Sequence, residues 1–475
     1  MRLVLIAMAL TGCVNTAALT HSASALTAPS CNVRDNGAVG DGIADDRAAI
    51  QATLDACAGQ SVAIPAGYYL LTAAPGHSYA LRVAAGTAVR GSGQATTTIL
   101  LAAAPLSTQI LWIEDAPDVT LQGFTLDGQH TLQGPPSAAG PQRHGAIIKH
   151  SPRIVIASVT SQHNAGDGFY LYAGSDHATI VDSAAIDNDR DGVTLGGATD
   201  GVTASGSTFS RNAQDGWHSE GGGNNNDVAL TGNALAGNAV FAITMSGVTA
   251  DPTGHNYRWS VTDNSVDGPV AIVYADDVVY ARNHGTNAGG LPSVSVYRQC
   301  ERIRVEDNAL TATGIAVGDS VAVISVEGTD VGQSPGSVVV ARNTISTAHP
   351  QYGVAVISAR DVEIVGNVIA GSPEGTGPHG VGLAGVFVRA TRVGVMPSVA
   401  VRGNTVAGFG RWSVMLGGSG AAKIAKVVIE GNAFGQPASL DDGLHEAIDV
   451  TASGLVVAQA PTGVLVALDG QRWVQ

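Results

Sequence analysis

NAGDGFYLY at 164–172, NDRDGVTLG at 188–196 and NAQDGWHSE at 212–220 are three copies of one pattern. Asn164, Asn188 and Asn212 stand 24 residues apart, and so do Asp167, Asp191 and Asp215. A repeat of that size holds three short strands and their turns, one coil of a parallel β-helix. The strands are too short for helices and alternate with period two, so Val193 and Leu195 point inward while Thr194 and Gly196 point outward. A second asparagine series marks another corner: Asn233, Asn264, Asn283, Asn308, Asn343, Asn367, Asn404 and Asn432. These asparagines close strands such as VVVARN and VEIVGN. Stacked asparagines can hydrogen-bond from coil to coil, and asparagine tolerates the left-handed backbone of a sharp corner. The expected fold is all-β: a single-stranded right-handed parallel β-helix of about 13–15 coils.

The bulk composition agrees. Of 475 residues, 61 are glycine and only 5% are aromatic, spread as a repeat array would spread them. The formal charge is −15, without a basic cluster, which excludes a nucleic-acid surface. No apolar run beyond the N-terminus is long enough for a transmembrane span.

The N-terminus reads as an export signal, with Arg2 ahead of an apolar run. Ala23-Ser24-Ala25 offers an ordinary cleavage site, giving a signal over 1–25. Leu10-Thr11-Gly12-Cys13 offers a lipobox instead, giving a signal over 1–12 and a lipid anchor on Cys13. Either way the protein is expected to be exported, as a periplasmic, secreted or outer-membrane lipoprotein. Export permits a disulfide, for which Cys31 and Cys57 are the candidate pair, with Cys300 left as a buried thiol.

Residues 31–73 form an opening segment before the coils of 74–475. Asp35 to Gly42 is turn-rich, Asp45 is placed to cap a helix running to about Cys57, and Ile50 and Leu54 share a face of it. The pattern NGAVGDGIADDRAAIQATLDAC…VAIPAGYYLL resembles the N-terminal cap of the pectate-lyase-like superfamily. That superfamily includes polygalacturonase relatives, rhamnogalacturonase/epimerase-like proteins and mannuronan C5-epimerases. The resemblance implies a β-helix whose open first coil is covered by the capping helix, and activity on a polysaccharide.

Aligning the coils on their Asp-Gly pairs converts the repeat into a surface map. One outward column reads Ile147, Tyr170, Thr194, His218 and Ala242. The next reads Lys149, Tyr172, Gly196, Glu220 and Thr244. Rungs are about 4.8 Å apart, so Lys149, Tyr170, Tyr172, Asp191, Asp215, His218 and Glu220 are expected to form one exposed catalytic patch. Arg143, His144, Asp167 and Trp217 are expected beside it as substrate-binding residues. The glycine- and proline-rich segment from Gln129 to Arg143 is long for a turn and is placed to fold over the patch.

Two chemistries suit these groups. Elimination from a uronate, or its epimerisation, needs a base, an acid and a cation at the sugar carboxylate. Tyrosine, histidine and Lys149 or Arg143 can provide them. Glycoside hydrolysis needs two carboxylates, which Asp191, Asp215 and Glu220 can provide. Elimination is the first expectation and hydrolysis the alternative. A non-catalytic glycan-binding adhesin is the third, disfavoured because the polar and aromatic groups concentrate between 143 and 220. The resemblance does not decide among them. Mannuronan C5-epimerases carry Tyr-Gly-Phe-Asp-Pro-His where this chain has Asp167-Gly168-Phe169-Tyr170-Leu171-Tyr172. NDRDG and NAQDGWHSEGG echo the aspartate series of polygalacturonases only loosely. No cofactor is required. A calcium ion, as in pectate lyases, would draw on Asp187, Asp189 and Asp191.

Overall fold

A computed structural model describes residues 31–474 with interruptions, the longest at 134–142, 373–383 and 440–448. The export segment, including Cys13, lies outside the described residues, as does most of the expected lid. No helix among the described residues is long and apolar enough to cross a membrane.

The chain winds into a parallel β-helix. A 15-stranded parallel sheet forms one face. A 33-stranded sheet forms most of the rest, continuous because strands such as Val155–Gln162 run around a corner unbroken, and Val395–Met396 pairs with Lys423–Ile424 in a separate two-stranded sheet. Helix Arg47–Ala56 covers the first coil and buries Ile50 and Leu54, as its spacing predicts. Cys31 and Cys57 are joined in a disulfide across this cap. The N-cap position belongs to Asp46 rather than Asp45. The Asp46 carboxylate turns away to accept from the Val39 and Gly40 amides, and Asp45 accepts from the Arg47 amide instead. Cys300 is a buried free thiol, which burial pushes up to about 12.

Coils are locked in register by amides inside the corners. Asn264 Nδ2 and its backbone N–H both donate to Asn283 Oδ1, at 2.9 and 3.0 Å. The same pair of bonds joins Asn283 to Asn308, then Asn343, Asn367, Asn404 and Asn432 in turn. Serines extend this ladder toward the N-terminus, with Ser183 and Ser207 hydroxyls accepting amides below Asn233. The left-handed backbone expected of the asparagines belongs instead to the residue before each. Asp263, Arg282, Asp307 and Arg342 all have φ between 54° and 60°. The division is physical. The asparagine must turn inward to reach its neighbour, so the preceding residue makes the bend and points to solvent. There Arg282 pairs with Asp263 and Arg342 with Asp307.

These two layers differ in cost. Asn308→Ala removes buried hydrogen bonds and leaves neighbouring amides unpaired, so it is expected to lower the unfolding free energy by roughly 1–3 kcal/mol. Arg342→Ala breaks an exposed ion pair and should cost less than about 1 kcal/mol. Denaturant unfolding of the two variants checks the order.

Candidate active site

Five consecutive strands of the 15-stranded sheet carry the site: Ala146–Lys149, Phe169–Tyr172, Val193–Gly196, Trp217–Ser219 and Ile243–Ser246. Ile147 registers with Tyr170, Tyr170 with Thr194, and Thr194 with His218, as the alignment predicts. Lys149, Tyr172 and Gly196 form the neighbouring column. Beyond His218 the expected register slips. His218 pairs with Thr244 rather than Ala242, so Thr244 belongs to the first column and not to that of Glu220. This coil has 26 residues instead of 24, as the step from Asn212 to Asn238 shows.

Trp217, expected on the exposed patch, is a core residue. It is fully buried, with its ring set edge-on to Phe209 at 5.4 Å. The period-two alternation that turns His218 outward turns Trp217 inward. The aspartates also depart from expectation, because they form the floor of the patch rather than its surface. Asp167, Asp191 and Asp215 have side chains only 0%, 1% and 5% exposed, against 26% for His218. Each uses one carboxylate oxygen to continue a ladder. Asp167 Oδ1 accepts from the Asp191 amide, Asp191 Oδ1 from the Asp215 amide, and Asp215 Oδ1 from the Phe241 amide. Arg143 and His144, expected as substrate contacts, are buried as well. His144 Nδ1 sits 3.0 Å from the Asp167 amide nitrogen, and its ring stacks on Tyr170.

The second oxygens of the aspartates build the electrostatics. Arg190 lies 3.5 Å from Asp167 Oδ2 and 3.6 Å from Asp191 Oδ2. Burial pushes Asp167 up, but His144 and Arg190 outweigh it and hold Asp167 below the ordinary carboxylate range. Asp191 goes the other way, pushed up to about 6 by burial and by the charge of Asp167. Asp215 Oδ2 accepts from the Thr244 hydroxyl at 2.6 Å and meets His218 Nδ1 at 2.8 Å. Burial pulls His218 down, yet Asp215 and Asp191 prevail and raise it above its ordinary 6.5.

Above this floor lies a half-exposed row. The Tyr170 hydroxyl donates to Glu220 Oε2 at 2.7 Å, across 50 residues of chain. Gly196 makes this possible. A Cβ there would stand 3.2 Å from both the phenol oxygen and Glu220 Oε2. Burial, then Glu220, raise the Tyr170 phenol well above its ordinary 10. Tyr172 stacks on Tyr170 at 5.0 Å. Lys149 is committed to Glu114, with Nζ to Oε1 at 2.7 Å. The structure therefore brings together Tyr170, Asp191, Asp215, His218 and Glu220, with Tyr172 alongside; Lys149, paired with Glu114, lies at the edge with Nζ 5.9 Å from the centre of the Tyr172 ring.

Sequence reasoning missed Arg190, although it adjoins Asp191 in the repeat. It also missed Glu114, in a coil with no Asp-Gly pair to align. The expected calcium set is not assembled: Asp187 pairs with Arg211, Asp189 with His130, and Asp191 lies in the buried stack. Asp191, Asp215 and His218 do bring ligand atoms within 4.8 Å of one another.

A family model described as "Rhamnogalacturonase A/epimerase, pectate lyase-like" matches residues 30–268, which include the whole site. Mannuronan C5-epimerase AlgE4 of Azotobacter vinelandii is 32% identical over 176 residues, covering 34% of this chain and 31% of the relative. Mannuronan C5-epimerase AlgE5 of the same organism is 27% identical over 271 residues, covering 52% of this chain and 26% of the relative. The chain thus spans under a third of the length of these curated relatives. Among solved structures, the catalytic unit of a GH87 α-1,3-glucanase from Streptomyces thermodiastaticus superposes with a TM-score of 0.56. That match has 16% identity and covers 87% of this chain and 70% of the other; it shows the shared β-helix fold.

The buried floor has a pH signature. Asp191 holds its proton more tightly folded than unfolded, so its contribution to stability is complete below 3.8 and is lost as pH rises through about 6. Raised His218 acts with the same sign, losing its contribution above 6.5. Unfolding measured against pH should show stability falling across this window. Asp191→Asn should flatten the lower part and shrink the upper part, because Asp191 helps Asp215 to raise His218.

Proposed function

This chain belongs to the rhamnogalacturonase A/epimerase, pectate lyase-like family, a polysaccharide-active group, and we propose that it performs acid–base chemistry at C5 of a uronate within a polysaccharide, ending in β-elimination. One observation carries the reading. Tyr170 leans along the groove to Glu220, which stands two residues from His218 on the same coil. A phenol held protonated and an imidazole held by a buried carboxylate are thereby presented together on the accessible face. The aspartates, which two-carboxylate hydrolysis would need in contact with sugar, are beneath them.

In this scheme unprotonated His218 takes the proton α to the sugar carboxylate, and Asp215 stabilises the imidazolium that forms. Tyr170 donates its proton to the departing glycosidic oxygen, with Glu220 orienting the hydroxyl. Arg190 supplies positive charge near the developing enolate. Mannuronan, for which the similar epimerases are named, is a polyuronate, which suits this reading. The disulfide of the cap suits an oxidising compartment, in line with export and with the apolar N-terminal segment.

A second reading rests on Asp191. A carboxylic acid pushed up to about 6 beside a second carboxyl group, Asp215, is a pairing that hydrolysis can use. A screen of uronate polymers and neutral glucans separates the two. Elimination yields reducing ends together with the ultraviolet absorbance of an unsaturated uronate; hydrolysis yields reducing ends alone. For elimination, His218→Ala and Tyr170→Phe are each expected to lower kcat by about 10²–10⁴-fold, and Asp191→Asn far less. The rate should rise with pH through the raised value of His218. Reducing ends without absorbance, lost in Asp191→Asn, would establish the hydrolase instead.

A further inference from the structure

The catalytic column continues beyond the coils that the Asp-Gly repeat reveals. In the strands before Ala146–Lys149, Arg82 registers with Trp112, and Trp112 with Ile147. The column therefore runs Arg82, Trp112, Ile147, Tyr170, Thr194, His218. Trp112 alternates with buried Leu111 and Ile113, so its ring faces outward and is half-exposed. It is held in place rather than loose. Its indole Nε1 donates to Glu114 Oε2 at 3.0 Å, and Glu114 is fixed in turn by Lys149. The Tyr79 ring lies 5.9 Å away, backed by His77, which stacks on it at 4.8 Å. Arg82 stands exposed one rung further out.

We infer that Trp112 and Arg82 form a remote sugar-binding subsite, which takes a uronosyl unit of the same polysaccharide chain that reaches His218. This inference rests on the reading of the site as uronate-active. The indole face suits the C–H face of a pyranose ring, and an anchored aromatic loses little freedom on binding. The Arg82 guanidinium suits the carboxylate of that unit. Ile147 and Tyr170 continue the apolar strip between Trp112 and the reacting sugar. Rungs repeat every 4.8 Å or so, close to the length of one sugar unit in an extended chain. Trp112 lies four rungs from His218, so only a chain of about four or more units past the reacting sugar can occupy both. Binding energy gained there holds long chains in the groove and is lost to short ones.

The test uses the full chain with mannuronan, polygalacturonate and size-defined oligomers of each. Tryptophan fluorescence should change when long chains bind to His218→Ala, which cannot turn them over. Short oligomers should leave it unchanged, and Trp112→Leu should abolish the change. In the otherwise native protein, Trp112→Leu is expected to raise KM for long chains about tenfold and to move kcat much less. Trp112→Phe should recover most of the loss, which separates a stacking platform from a folding defect. Arg82→Ala should weaken long-chain binding in a salt-dependent manner. Long chains bound and cleaved equally well by Trp112→Leu and the parent would overturn the subsite while leaving the proposed chemistry standing. Neither polymer bound nor cleaved by the parent would remove that chemistry and the subsite with it. Binding that Trp112→Leu abolishes, accompanied by reducing ends without unsaturated product, would uphold the subsite and reject elimination.

Discussion

A coil-to-coil hydrogen bond between buried side chains is the constraint on which everything else in this molecule depends. Parallel strands alone fix spacing, but each one could slide by two residues and still bury its valines. The asparagines remove that freedom, since each offers one oxygen to two donors on the coil before it and one amide to the coil after. At the coils of the candidate site a second such corner is built from Asn164, Asn188, Asn212 and Asn238. The aspartates repeat the device one step along the chain, with carboxylates in place of amides. The same contact thus holds the coils in register and stacks three carboxylic groups one above another.

That stacking explains the site's electrostatics. Three carboxylates on adjacent rungs with almost no solvent cannot all stay ionised. Arg190 lies against the first two and His218 against the third, and Asp191 in the middle is pushed up to about 6. The strain appears at the surface as a histidine shifted upward and aimed into the groove. A structural ladder thereby also shifts the titration of the histidine that stands on it. Beside it stand two aromatic groups, Tyr79 with Trp112 and Tyr170 with Tyr172, bridged by the Glu114–Lys149 pair.

Much of this was legible from the sequence. The repeat spacing, the asparagine series, the capping helix and the disulfide were all readable, because each is local or strictly periodic. The column through Tyr170, Thr194 and His218 followed from the same period. Four features were hidden. Burial of the aspartates depends on which face of the turn each carboxylate takes, and an Asp-Gly pair reads alike in either case. Trp217 was misplaced by treating a neighbour of His218 as its companion, although alternation sets them on opposite faces. Trp112 and Glu114 escaped because their coil lacks the repeat's turn residues. The slip at Thr244 came from one longer coil, which no fixed period anticipates.

The central claim is that side chains 50 residues apart, Tyr170 and Glu220, act as one unit because the coils between them superimpose. A double-mutant cycle on unfolding free energy, with Tyr170→Phe, Glu220→Gln and the pair, measures this directly. A coupling of about 1 kcal/mol or more is expected, with the double variant costing less than the sum of the singles. Strict additivity would mean that the two groups do not meet, and the site built on their meeting would not exist.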